Sequence, residues 1–150
     1  MARNDWVTFE EFSLDLANGV HDLGSDTFKV ALIDNTATEP AAATATPEWA
    51  ADFEGNEVSG TGYTAGGATQ SGTSSAEADG VTTFDDTGNV TWSQNGAGPT
   101  NIYWAILYND SAASKECVGF LDMGGPVSLV DGDVSITWNA SGILTITVAA

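Results

Sequence analysis

The chain has 150 residues, 21 of them Asp or Glu and only 3 Lys or Arg, for a formal net charge of −18 at pH 7. Such a chain cannot hold a nucleic-acid backbone, whose affinity rests on Lys and Arg, and anionic lipid surfaces repel it. With 42% hydrophobic and 9% aromatic residues it is nonetheless too apolar for an acidic disordered chain, and its length fits one domain spanning 1–150.

The acids are evenly spread: seven in residues 1–34, seven in 35–80 and seven in 81–150. The cations are Arg3, Lys29 and Lys115. Cys117 is the single cysteine, so no intrachain disulfide forms, and its setting in Cys117-Val118-Gly119-Phe120-Leu121 suits a buried small hydrophobe. No apolar run approaches the ~18 residues of a membrane span, and Met1 to Trp6 lacks the pattern of a secretory signal. A soluble protein made in a reducing cytoplasm is expected.

Residues 1–7 read as a terminal arm. Thr8-Phe9-Glu10-Glu11 then matches a capping box, with Val7 and Phe12 at the hydrophobic-staple positions. Phe9, Phe12, Leu16 and Val20 recur at spacings of three and four, one helical face. Gly19 supplies the left-handed stop, so a helix is predicted within residues 8–18, from about Phe9 to Asn18. The period then changes to two: Phe28, Val30 and Leu32 alternate with Lys29 and Ala31, predicting a half-buried strand over Thr27–Ile33. Pro47 to Phe53 suits a short helix. Residues 57–80, rich in Gly, Ser and Thr, read as strand edges and long loops.

Further strands are predicted over Val81–Phe84, Asn89–Ser93, Ile102–Tyr108, Val118–Met123, Val127–Val130, Val134–Trp138 and Ile143–Val148. Ile102–Tyr108 is apolar on both faces, as a central strand is. Turns are predicted at 85–88, 131–133 and 139–142. The fold class that follows is mainly β: an antiparallel β-sandwich of seven or eight short strands over 27–150, with one short N-terminal α-helix packed on it.

Few residues are candidates for chemistry. His21, the single histidine, stands beside Asp22, but residues one apart do not make a catalytic triad and no nucleophile signature accompanies them. A histidine just past a helix end more simply meets its terminal carbonyls. One His and one Cys do not make an ordinary zinc site. Asp85-Asp86 and Asp131-x-Asp133 could ligate Ca²⁺ or act as glycosidase carboxylates, but both pairs fall on predicted turns, where Asp bonds local backbone. Gly60 to Gly67 lacks the Lys-Ser/Thr of a phosphate loop, so its glycines read as tight turns and close packing. Trp49, Trp92, Trp104 and Trp138, with Tyr63, Tyr103 and Tyr108, could line a sugar-binding face, although core packing accounts better for aromatics inside strands. No cofactor is called for.

Several segments taken in order carry a resemblance. They are Phe9-x-x-Phe12 into Asn18-Gly19-Val20-His21-Asp22-Leu23, then Asp26 to Ile33 and Gly60 to Gly67. Trp104 to Asp110, Leu129 to Asp133 and Gly142 to Ile146 complete the set. Together they resemble small β-rich virion structural proteins of tailed bacteriophages, of the capsid decoration (cement) type. The motifs are structural and mark no catalytic residue. The resemblance implies a non-enzymatic protein on the outer capsid surface that bridges capsomers, with the major capsid protein and neighbouring copies of itself as partners. Attachment would fall on the N-terminal arm, through Arg3 and Trp6. A tail or head–tail junction protein and a carbohydrate-binding adsorption module are the alternatives.

Overall fold

The computed structural model describes residues 5–35, 39–71, 73–86 and 88–148. In chain order its elements are β1 (Trp6–Thr8), α1 (Phe12–Ala17), β2 (Phe28–Ile33), β3 (Ala68–Thr69), β4 (Thr73–Ala78), β5 (Val81–Asp86), β6 (Val90–Trp92), β7 (Ile102–Asn109), β8 (Cys117–Val127), β9 (Val134–Ile136) and β10 (Leu144–Thr147). A π-helical turn over Trp49–Phe53 and a 3₁₀ turn over Glu54–Asn56 complete them. The protein is mainly β with one short N-terminal α-helix, and its paired strands are antiparallel.

β7 is apolar on both faces and lies where both can be covered, in the middle of a five-stranded sheet of order β1-β8-β7-β2-β3. A three-stranded sheet, β10-β5-β4, and a two-stranded one, β6-β9, stand apart from it. The larger core joins Phe28, Val30 and Leu32 of β2 and Ile102, Ala105 and Leu107 of β7 to Phe84, Val90, Trp92, Val134 and Ile136 of the smaller sheets. A second core lies on the opposite face, where Ala31, Ile33, Ile106, Tyr108 and Phe120 meet Phe9, Trp49 and Phe53. β2 was expected to be half-buried; instead five of its six residues are buried, because residues 47–56 strap across its second face.

Three other expectations need correction. The helix starts at Phe12, with Glu11 at the N-cap and no side-chain cap bond, so Thr8 and Glu11 form no capping box. Thr8 pairs with Gly119, and the Phe9 N–H donates to Val118 O at 3.1 Å. That pairing sends Phe9 into the second core while Phe12 enters the first, which divides the supposed single apolar face. Residues 6 and 7, expected in an arm, form the sheet's edge strand β1. The helix stop does follow the sequence: Gly19 has φ +73°, its N–H reaches Leu16 O, and Val20 N–H reaches Asp15 O, a Schellman closure.

The strand count also differs. There are ten strands among the described residues rather than seven or eight, with β1, β3 and β4 added. The strand expected at 127–130 is absent: Val127 ends β8, and Ser128 then closes a turn by accepting from the N–H groups of Val130 and Asp131. Near Pro47 the helical segment is a single π turn.

Candidate functional site

Of the Ca²⁺ candidates, Asp85 and Asp86 are held by local backbone. Asp85 and Asp86, expected in a turn, end β5, paired with Ser74 and Thr73. Asp85 Oδ1 accepts the Asp86 N–H at 2.8 Å and Asp86 Oδ1 that of Gly88 at 2.8 Å. Burial holds the Asp86 carboxyl above the usual range, and Asp85 adds to that. Asp131 and Asp133 are exposed, and Asp133 Oδ1 accepts the Gln94 N–H at 2.7 Å. Among the described residues no three His, Cys, Asp or Glu side chains converge to hold a metal ion.

The aromatic residues pack inward. Trp49, Trp92, Trp104 and Tyr108 are buried, and Trp49 stacks on Tyr108 at 5.0 Å and 8°. Trp6 meets Trp138 edge-on at 5.3 Å, and Trp138 Nε1 donates to Gln70 Oε1 at 2.7 Å. Trp6 is therefore half-buried in the sheet, whereas Arg3 lies outside the described residues. Cys117 is fully buried, which drives its thiol pKa well up and removes it as a nucleophile.

The glycine-rich segment is packed backbone. A Cβ on Gly67 would stand 2.0 Å from Val30 O, and one on Gly60 would stand 2.5 Å from Pro99 N. Glu57 Oε1 gathers the segment, accepting from Tyr63 Oη at 2.7 Å and from the Gly66 N–H at 2.6 Å.

Two charged clusters come from distant segments that local spacing cannot reveal. In the first, Lys29 and Lys115 both bind Asp110, at 2.8 Å and 3.4 Å. The bond from Lys29 holds the Asp110 carboxyl below its usual range. In the second, buried Asn109 sits at the end of β7. Its Nδ2 donates to Asp26 Oδ2 at 2.6 Å and approaches Val20 O and His21 Nδ1 at 3.2 Å each, while its Oδ1 accepts from the N–H groups of Ser111 and Ala112. The visible signal was a polar residue closing an apolar strand. His21 is 4% exposed, stacks on Phe12 at 5.4 Å, and points Nε2 at Asp15 Oδ2, 3.9 Å away. Burial lowers its pKa, so the ring is neutral at pH 7. Its partners are Asn109 and Phe12, and exposed Asp22 turns back to the Gly24 N–H.

Among the described residues the arrangement therefore offers carboxylates and a neutral imidazole but no nucleophile beside a base. Comparison with protein-family models, with curated proteins and with solved structures yields no match.

Proposed function

We propose that the chain is a non-enzymatic virion structural protein, an outer capsid decoration protein that bridges capsomers of a phage head. In this reading the layered sheets form an antiparallel β-sandwich, with the five-stranded sheet facing the two smaller ones. The observation that carries the proposal is electrostatic. Both described cations are tied to Asp110, so the described surface presents carboxylates to its surroundings without a free counter-charge. A protein that bridges an outer shell needs neither a nucleic-acid contact nor a reactive centre. It stabilises the assembled state by binding that state and not its parts. The major capsid protein and neighbouring copies of this chain are the partners, with Arg3 and the β1 edge around Trp6 as contact points.

Particle labelling and copy number test this reading. Labelled antibody should cover intact heads, with on the order of hundreds of copies per particle, because a closed symmetric shell repeats one contact many times. Label confined to the tail or neck, with on the order of tens of copies or fewer in a smaller symmetric assembly, assigns the chain to the tail or junction instead. Absence from particles overturns the proposal.

A further inference from the structure

Carboxylates from three separated segments gather beside α1. Glu11 and Asp15 come from the helix and its start, Glu48 precedes the π turn, and Glu116 precedes β8. Glu48 and Glu116 face each other across an isolated antiparallel bridge, which brings their side chains to one side. All four residues are half-buried. Burial raises the Asp15 carboxyl above its usual range, and Glu11, Glu116 and Glu48 each push it further. The described lysines give no relief, because both bind Asp110.

Acidic neighbours are common on this surface; here buried polar atoms without a hydrogen-bond partner stand behind them. His21 Nδ1 lies 3.2 Å from the Asn109 amide nitrogen, a donor, so the network assigns the ring hydrogen to Nε2. Nε2 has no hydrogen-bond partner and is aimed at Asp15 Oδ2, 3.9 Å away, from a side chain with no exposed surface. Glu116 Oε2 is likewise buried without a partner.

Carboxylates carried by three separate segments favour a group that is cationic and wide enough to reach more than one of them. A guanidinium meets both conditions, with five donors in a planar fork that reaches separated carboxylates. We propose that Asp15, Glu48 and Glu116, backed by buried His21, form a receptor for an arginine side chain of a partner protein. The incoming charge offsets the repulsion that Glu11, Glu116 and Glu48 exert on Asp15. Ionised Asp15 then accepts the His21 Nε2–H after closing about one ångström to ordinary hydrogen-bond length. The inference rests on the reading of the chain as a member of an assembly and adds the chemistry of one contact.

The test titrates N-acetyl-arginine amide into the full chain and follows the ring resonances of His21, the single histidine. N-acetyl-citrulline amide, of similar shape without charge, and calcium chloride run alongside. The arginine probe should shift the resonances saturably and the citrulline probe should not. Asp15→Asn and Glu116→Gln should each weaken the response by roughly tenfold or more, while Asp131→Asn leaves it unchanged. Glu48→Gln replaces either variant that fails to fold. An equal response to citrulline, no response to arginine, unchanged affinity in the variants, or saturation by calcium at lower concentration than arginine overturns the proposal. Because the titration uses the isolated chain, its failure is distinct from a failure to find the protein on particles.

Discussion

On one face of the five-stranded sheet, Phe28, Val30, Leu32, Ile102 and Leu107 meet side chains from two further sheets. On the other, Ala31, Ile33, Ile106 and Phe120 meet Phe9, Trp49 and Phe53, none of which lies in a strand. The first cover carries its own ladders of paired backbone. The second is pinned by separate bonds: Trp49 N–H to Lys115 O at 3.0 Å, Cys117 N–H to Pro47 O at 2.8 Å and Asp34 N–H to Asn56 O at 3.0 Å. A β-sheet cover holds itself together, whereas a strap must be held by what it buries. The strap also carries Glu48, so one carboxylate of the proposed arginine receptor belongs to the less self-supporting side.

The largest expected effect tests that distinction. Trp49 is fully exposed to nothing but protein, at 0% accessibility, and stacks on Tyr108. Trp49→Ala should cost about 3–5 kcal/mol, as truncating a buried aromatic does, measured by urea denaturation. Hydrogen exchange should accelerate first in residues 47–56 and only later in β5 and β10. Equal acceleration everywhere would erase the difference between the covers.

A pair of tyrosines sharpens it. The Tyr63 hydroxyl accepts the Leu32 N–H at 3.0 Å and donates to Glu57, while the Tyr108 hydroxyl donates to Gly66 O at 2.7 Å. Tyr63→Phe strands a backbone donor and should cost about 2 kcal/mol. Tyr108→Phe leaves only a carbonyl without that bond and should cost about 1 kcal/mol. The reverse order in urea melts would place the greater dependence on the second face. Burial raises both phenol pKa values. The folded protein therefore keeps protons that the unfolded chain releases, and stability falls as pH climbs past the ordinary phenol range. Each Phe variant should weaken that alkaline loss.

Asp110→Asn follows at about 1 kcal/mol near neutral pH, a partly exposed ion pair being worth little more. The sign is fixed by linkage. Asp110 titrates below its unfolded value, so its stabilisation is full above ~3.9 and is lost as pH falls through the folded value. Wild type and variant should therefore converge in strong acid, and a gap that persists there would give Asp110 a role unrelated to its charge.

The first cover and the central strand were legible because their signals are local. Period-two alternation marked Phe28, Val30 and Leu32, and the run from Ile102 to Tyr108 announced burial on both sides. The close packing at Gly67 also followed from composition, and Cys117 from its apolar neighbours. The strap was not legible, because Trp49 and Phe53 find Tyr108 and Phe9 only through tertiary packing. The same limit hid β1. Its three residues are a strand only because β8 lies beside them, so local helix-start chemistry at Thr8 outweighed a pairing partner more than a hundred residues away. Asp15, Glu48 and Glu116 come together by that long-range route, and no spacing rule links them.

The smallest effect is expected at β4, where the fold is least buried. Its pattern from Thr73 to Ala78 is half-buried once and exposed five times, and it forms an edge of the three-stranded sheet. Ala76 faces solvent opposite Thr83 of β5. Ala76→Val adds β-branched surface that packs on that neighbour while exposing more apolar area, two contributions of opposite sign and similar size. Its stability should stay within about 0.5 kcal/mol of wild type in urea melts. β5 carries Phe84, fully buried, into the larger core, so the sheet is anchored by its middle strand and not by this edge. A change beyond about 1 kcal/mol at Ala76 would move that anchor outward. The three-stranded sheet would then share the sensitivity otherwise confined to the strap.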